Sequence, residues 1–280
     1  MKKSDHWNIS QIPKIFHIYW GGGIMPYIRF LTVKSFIKYN PDWEIMFWYP
    51  KYPTKHVTWH SGELCYPVEC DDYASEMLKL PIISTAVDFD EIGFSNSATE
   101  VHKSDFLRLH LLTTFGGVWS DMDILYFKPI TNLSVNIIEN ENIDTFVCIS
   151  NYGHSIGFLM SRPRSGFFRK LLLTIKSRPI PSEYQAIGPT LYNESFRDIK
   201  IINQISPTIN LDMDVVYAHD AGSIPDLLKN ITPRFTEGTI GTHWYAGHSQ
   251  WAGFIKATNG GLINLPNNII GNIIRKISEE

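Results

Sequence analysis

The stretch from Ile12 to Pro50 most constrains what this chain can fold into. IPKIFHIYW (Ile12 to Trp20) is dense in β-branched and aromatic residues and ends in Gly21-Gly22-Gly23, which reads as a strand and its stop. From Pro26 to Tyr39 the apolar residues recur at helical spacing, and proline suits a first helical turn. Asn40-Pro41-Asp42 then makes a turn, and WEIMFWYP (Trp43 to Pro50) reads as a second strand. A strand, a helix and a strand within about forty residues are the pattern of a parallel βαβ unit. The fold class predicted is therefore α/β.

The rest of the chain extends this pattern. Glu69 to Leu80 reads as a helix and Pro81 to Asp90 as mixed. Val101 to Phe115 carries Phe106, Leu107, Leu109, Leu111 and Leu112 at helical spacing, and Gly116-Gly117 stops it. Val118 to Phe127 reads as strand, turn, strand, ended by Pro129. Thr145 to Ser150 and Ser155 to Ser161 read as strands joined by Asn151-Tyr152-Gly153-His154, and Phe167 to Lys176 as a helix. Val215 to Ala218 and Thr239 to Tyr245 look strand-like. No repeat, low-complexity tract or linker interrupts the chain, so residues 1–280 are expected to form a single domain. The 44% hydrophobic content is enough for a sizeable core. Asn267 to Ile277 gathers five isoleucines on one face, which suits a terminal helix docked on the domain or, as the alternative, one that touches a membrane.

Charge and cysteine usage narrow the function. A net charge of -3 provides no basic field for nucleic acid. Cys65, Cys70 and Cys148 are odd in number and lack a C-x-x-C spacing, which argues against a disulfide framework and a structural zinc site and for reduced thiols. Lys2 and Lys3 are followed by Asp5, His6 and Asn8 rather than an apolar stretch, so no signal peptide is expected. No segment approaches about 18 unbroken apolar residues. The expected location is cytoplasmic, or peripheral to the inner face of a membrane.

The chemistry-bearing pattern is Asp-x-Asp. Two aspartates at i and i+2 of an extended strand point to one side and can share a hard cation such as Mg²⁺ or Mn²⁺. Three such pairs occur: Asp88/Asp90, Asp121/Asp123 and Asp212/Asp214. Spacing alone does not choose among them. Context favours Asp121-Met122-Asp123, because an apolar strand leads into it and another apolar run leaves it. Ligands of open α/β sheets bind at such strand ends. Asp88 and Asp90 follow a less regular stretch, and Asp212 and Asp214 read as turn and strand-edge residues.

The residues around this pair carry a resemblance. HKSDFLRLHLLTTFGGVWSDMDILYFKPI (His102 to Ile130) resembles the signature of glycosyltransferase family 32 and of the glucosylating domain of the large clostridial toxins. Those proteins share its Ser-Asp-x-x-Arg helix, its Gly-Gly-Val-aromatic step and its D-x-D. IPKIFHIYWGG (Ile12 to Gly22) is similar to their first strand, and HWYAGHSQW (His243 to Trp251) to their C-terminal histidine and Ser-x-Trp element. The three pieces cover about a fifth of the chain in the same order.

The resemblance implies a GT-A fold: a Rossmann-like nucleotide-binding domain with a mixed sheet and a smaller acceptor-side subregion. It implies a retaining transferase that takes a sugar from a nucleotide-sugar donor, with Mn²⁺ or Mg²⁺ as cofactor. Trp20 would stack on the base, with Tyr19 and Gly21 beside it; the alternative for Trp20 is a core tryptophan at a strand end. Asp105 and Arg108 would contact the donor sugar and its phosphate, or form a structural i,i+3 ion pair. Trp119 would pack near the ribose or sugar, where many relatives carry Tyr. Asp123 would bind the metal directly and Asp121 through water or by holding the ribose, the pair acting catalytically by stabilising the leaving group. His243 would complete the metal site, with His248 as rival, and Ser249 and Trp251 would hydrogen-bond the diphosphate. Gly188-Pro189 resembles a step near the donor sugar and also reads as a plain turn. The donor sugar is expected on a UDP carrier, and the acceptor to be a glycan, including one linked to a lipid. Two other classes remain: a metal-dependent nucleotide-sugar hydrolase, which would give free sugar whatever acceptor is present, and a non-catalytic sugar-binding module, whose binding would survive Asp123→Ala without turnover.

Overall fold

The computed structural model describes residues 12–54, 70–133, 143–177, 179, 182–258 and 265–279. The N-terminal lysines, Cys65 and Glu69 lie outside the described residues. In chain order the elements are β1 (Ile15–Tyr19), α1 (Tyr27–Tyr39), β2 (Glu44–Pro50), α2 (Ala74–Met77), β3 (Ile83–Val87), α3 (Glu100–Thr114), β4 (Gly117–Ser120) and β5 (Ile124–Tyr126). Then follow β6 (Thr145–Ser150), β7 (Gly153–Ser161), α4 (Gly166–Lys176), α5 (Pro189–Ser195), α6 (Ile199–Asn203), β8 (Thr208–Asn210), α7 (Asp214–Tyr217), α8 (Ile224–Leu227), β9 (Gly241–His243), α9 (Trp251–Ala257) and α10 (Ile269–Ser278).

A seven-stranded mixed sheet runs in the order β3-β2-β1-β4-β7-β6-β8. β3, β2, β1 and β4 are mutually parallel, β7 is antiparallel to β4 and to β6, and β8 is parallel to β6. A second sheet pairs β5 with β9 antiparallel. Strand alternation divides the core between the two faces of the large sheet. Phe16 and Ile18 of β1, Val118 of β4 and Phe146 of β6 join one cluster with α1 and α10. Tyr19, Trp119 and Val147 join the other with α3 and α4.

The expected βαβ unit is present, with Ile15 to Tyr19 in register with Glu44 to Trp48. Phe36 of α1 stacks on Phe16. α3 starts at Thr99, whose side chain accepts from the His102 amide, and it ends at the two glycines. Gly116 and Gly117 both hold positive φ, +66° and +93°. A Cβ on Gly117 would lie 2.5 Å from the Ile15 carbonyl oxygen, so the backbone of β4 can approach β1 only without a side chain. Gly117→Ala is therefore expected to cost about 2–5 kcal/mol from left-handed strain and overpacking, a Tm drop of roughly 5 °C or more. Thermal unfolding followed by circular dichroism checks this; an unchanged Tm would contradict the backbone described.

Three expectations are corrected. Of the expected helix Glu69 to Leu80, only the single turn Ala74–Met77 is helical among the described residues. Val215 to Ala218 is not a strand: Asp214–Tyr217 form the short helix α7. A four-residue apolar run fits either period, and one helical turn buries Val215, Val216 and Tyr217 together. Thr239 to Tyr245 is strand only over Gly241–His243. At the C-terminus all five isoleucines of α10 are buried, and Lys38 of α1 donates to the carbonyl oxygen of Lys276. The apolar face offered as a membrane contact is thus used up against the protein. Among the described residues, no helix is long and apolar enough to cross a membrane.

Candidate functional site

The site forms where β4 ends. The Asp121 amide donates to the Gly157 carbonyl oxygen of β7 at 2.7 Å, the last rung of that pairing. Beyond it Met122 turns into the core, 3% exposed, and its carbonyl oxygen accepts from Thr32 of α1. With Met122 inward, Asp121 and Asp123 emerge together. The chain then enters β5, whose Ile124 pairs with His243 of β9. The Trp244 amide donates to the Asp123 carbonyl oxygen and fixes that register. Asp121, Asp123 and His243 consequently offer ligand atoms that all lie within 4.8 Å of one another.

Asp123 is held as a ligand would be. Its Oδ2 accepts from the Ala246 amide at 3.0 Å, while its Oδ1 lies 3.1 Å from Nε2 of His243. Among the described residues nothing else reaches the buried Oδ1. Burial opposes the charged form, but His243, Arg29 and the Ala246 amide outweigh it and hold the Asp123 carboxyl well below the usual carboxylate range. An ionised, buried carboxylate oxygen with an open lone pair beside an imidazole suits a divalent cation. Nδ1 of His243 accepts from the Tyr245 amide at 3.2 Å, so Nε2 of the neutral ring would offer a lone pair to a cation only in the other tautomer, with the proton on Nδ1 and that amide contact given up.

Asp121 is tied from the other side. Its Oδ1 accepts from the Trp119 indole at 2.9 Å and lies 3.4 Å from the Arg108 guanidinium. Arg108 pairs with Asp105 at 2.8 Å, donates to the Ile156 carbonyl oxygen at 2.6 Å and lies over the Trp119 ring at 5.1 Å. Asp105 and Arg108 are thus an i,i+3 ion pair, and through Arg108 that pair reaches Asp121 of the Asp-x-Asp. Burial pushes the Asp105 carboxyl up to about 7, with Arg108 opposing the rise and Asp121 adding to it. A Cβ on Gly188 would lie 2.7 Å from Asp105 Oδ2, so Gly188-Pro189 is where the backbone closes on Asp105 before α5.

The remaining expected residues divide. Trp20 is half-buried at the end of β1, with its indole donating to the Gly23 carbonyl oxygen at 3.3 Å. Tyr19 turns inward and donates to Glu100 at 2.5 Å, and a Cβ on Gly21 would lie 2.7 Å from the Glu100 side chain. Gly21 thus owes its missing side chain to Glu100. Ser249 is exposed, whereas Trp251 is fully buried against Trp244 at 5.1 Å, its N–H without a partner among the described residues. His248 meets the Gln250 amide instead of the aspartates. The rival pairs have other employment. Asn96 donates to both Asp88 and Asp90, and Asp214 accepts from Thr236.

Sequence reasoning missed three neighbours. Arg29 of α1 lies 5.2 Å over Trp20 and 5.6 Å over Trp244, a cation between two indoles close enough to depress Asp123. The built Cβ of Gly157 would sit 3.1 Å from Asp121 Oδ2, and Tyr217 packs its ring on His243 at 5.3 Å. Only Gly157 left a signal, since a glycine inside the apolar strand GHSIGFLMS marks a close approach.

Comparison with known proteins adds four findings. Residues 29–144 match the family model of the glycosyltransferase sugar-binding region containing DXD motif. The chain is 28% identical over 131 residues to "Subversion of eukaryotic traffic protein A" of Legionella pneumophila, a match that spans 43% of this chain and 18% of that protein. Among solved structures, PaToxG glycosyltransferase aligns with a TM-score of 0.45 at 16% identity, covering 69% of this chain and 73% of that one. The glycosyltransferase GlyE of Streptococcus pneumoniae TIGR4 aligns with a TM-score of 0.41 at 13% identity, covering 83% and 54%.

Proposed function

We propose, for a glycosyltransferase that carries its DXD-containing sugar-binding region over residues 29–144, a retaining and metal-dependent reaction of GT-A type. A hexose or N-acetylhexosamine moves from a nucleotide sugar, of the UDP class, to a glycan acceptor. The observation that carries this reading is the Asp121-Asp123-His243 cluster at the C-terminal end of β4, with Asp123 ionised and its Oδ1 open.

Mn²⁺, or Mg²⁺, would be held by Asp123 and His243, with Asp121 completing the set; the imidazole favours Mn²⁺. Bound there, the cation supplies Lewis-acid stabilisation of the departing nucleoside diphosphate. The protein's own groups do the rest. Trp119 and Arg108 orient Asp121, and the Ala246 amide orients Asp123. Asp105 fixes sugar hydroxyls and Arg108 meets negative charge on the phosphates. Trp20, with one face against Arg29, offers the other to the base, worth roughly 1–3 kcal/mol of stacking. Tyr19 and Gly21 line the base edge through their backbone. Ser249 and the indole N–H of Trp251, which has no partner among the described residues, would provide donors for the diphosphate. The grouping of Asp121, Asp123 and His243 within 4.8 Å supports His243 over His248 as the third ligand. Catalysis rests on positioning and leaving-group stabilisation.

The whole chain acts as one domain in this reading, in the cytoplasm, on a surface-polysaccharide acceptor in a bacterium, free or lipid-linked. The deciding experiment is a thermal-shift panel of UDP-glucose, UDP-galactose, UDP-N-acetylgalactosamine and GDP-mannose with and without Mn²⁺. One UDP-sugar is expected to raise Tm only when Mn²⁺ is present, because ligand linkage stabilises the folded state. Equal shifts without metal would defeat the metal role, and a shift with GDP-mannose alone would defeat the UDP assignment. Product analysis with acceptors then separates transfer from hydrolysis.

A further inference from the structure

The hydroxyl of Tyr217 has no use in the fold. The residue is 5% exposed on α7, its Oη is buried, and among the described residues no hydrogen-bond partner reaches it. Its ring meets the His243 ring at 5.3 Å, which points the phenol toward the cluster. Gly157 fixes where the hydroxyl lies. A Cβ on Gly157 would be 3.0 Å from Tyr217 Oη, 3.1 Å from Asp121 Oδ2 and 3.3 Å from His243 Cδ2. The phenol oxygen and the Asp121 carboxylate therefore face each other across bare backbone, within about 6 Å.

A buried O–H with no acceptor is unfavourable by the desolvation of the group, and a phenylalanine would fill the same space without it. The hydroxyl gains an acceptor only when something enters the cage. We propose that Tyr217 is a ligand-binding residue of this site, its O–H donating to an oxygen that arrives with the metal and nucleotide. That oxygen belongs either to a water on the cation or to a non-bridging position of the diphosphate; hard cations keep waters and share phosphates in such sites. This inference rests on the glycosyltransferase reading above.

Tyr217→Phe removes one oxygen and keeps the ring on His243. Three measurements test it: the Kd for Mn²⁺ alone by calorimetry, the Kd for UDP in saturating Mn²⁺, and kcat and KM for donor turnover. Tm is expected to stay level or rise. A donor hydrogen bond to a charged acceptor predicts a loss of about 10- to 100-fold. If Mn²⁺ binding alone weakens, the oxygen is the metal's water. If Mn²⁺ binding is unchanged and UDP binding weakens or kcat falls, it is the phosphate's. Gly157→Ala puts a methyl between the phenol and Asp121 and should weaken the same step. Unchanged Kd values, kcat and KM in Tyr217→Phe would overturn the proposal. Wild-type protein that binds neither Mn²⁺ nor UDP would sink the functional reading itself, and this inference with it.

Discussion

Asp123→Asn removes donor turnover while the chain still folds. The amide has the shape of the carboxylate, and its oxygen can still accept from the Ala246 amide. What disappears is the negative charge that faces His243 and Arg29 and that would hold a cation. A clamped divalent ion contributes several kcal/mol to stabilising a leaving diphosphate, so kcat should fall by roughly a thousandfold or more. The Mn²⁺-dependent thermal shift should vanish with it, while unfolding remains cooperative. Asp121→Asn is expected to be milder. Its Oδ1 is already engaged by Trp119 and Arg108, and an amide oxygen can keep both contacts. Near-normal activity of Asp123→Asn in saturating Mn²⁺ would remove Asp123 from the metal site.

Arg108→Leu is expected to damage both stability and function, and by an amount that depends on pH. The guanidinium is 4% exposed and bonds Asp105, Asp121 and the Ile156 carbonyl oxygen. Removing one partner of a buried pair costs about 3–5 kcal/mol when the other stays charged. Asp105 need not stay charged. Burial already raises its carboxyl from 3.8 to about 7 against the pull of Arg108, and without that cation the rise is larger. The sign follows from proton binding. A raised folded-state pKa means that the native protein holds a proton the unfolded chain has released. This group's stabilisation is therefore full below about 4 and is lost as pH rises through 7. In Arg108→Leu the native state keeps the proton to higher pH, so its stability goes on falling where the wild type has levelled off. The gap between the two should widen above about pH 7 in denaturant titrations across pH 5.5–8.5. A gap independent of pH would mean that Asp105 and Arg108 are not coupled. Turnover should fall sharply at every pH, because the group proposed to meet the phosphate charge is gone and Asp121 loses one of the two groups that orient it.

Much of the framework was legible in local patterns. The β1-α1-β2 unit, the Gly116-Gly117 stop of α3 and the strands on either side of Tyr152 follow from periodicity and turn chemistry, whose signals lie within a dozen residues. The error at Val215 to Ala218 came where such a signal is too short. VVYA is compatible with either period and became a helical turn. The isoleucine face of the last helix cannot say whether lipid or protein covers it, and here α1 and α8 do.

The sequence by itself determined the α/β class, the strand that delivers Asp121 and Asp123, and the i,i+3 pairing of Asp105 with Arg108, because each depends on neighbours in the chain. Only the tertiary structure decided which Asp-x-Asp has a histidine beside it. Ser120-Asp121-Met122-Asp123 meets His243, more than a hundred residues away, because β5 pairs with β9. The same packing brings Arg29 and Tyr217 to the cluster from helices that carry no motif. Contacts of that range are set by how sheets and helices bury their apolar faces, and no local pattern of residues encodes which side chains then meet.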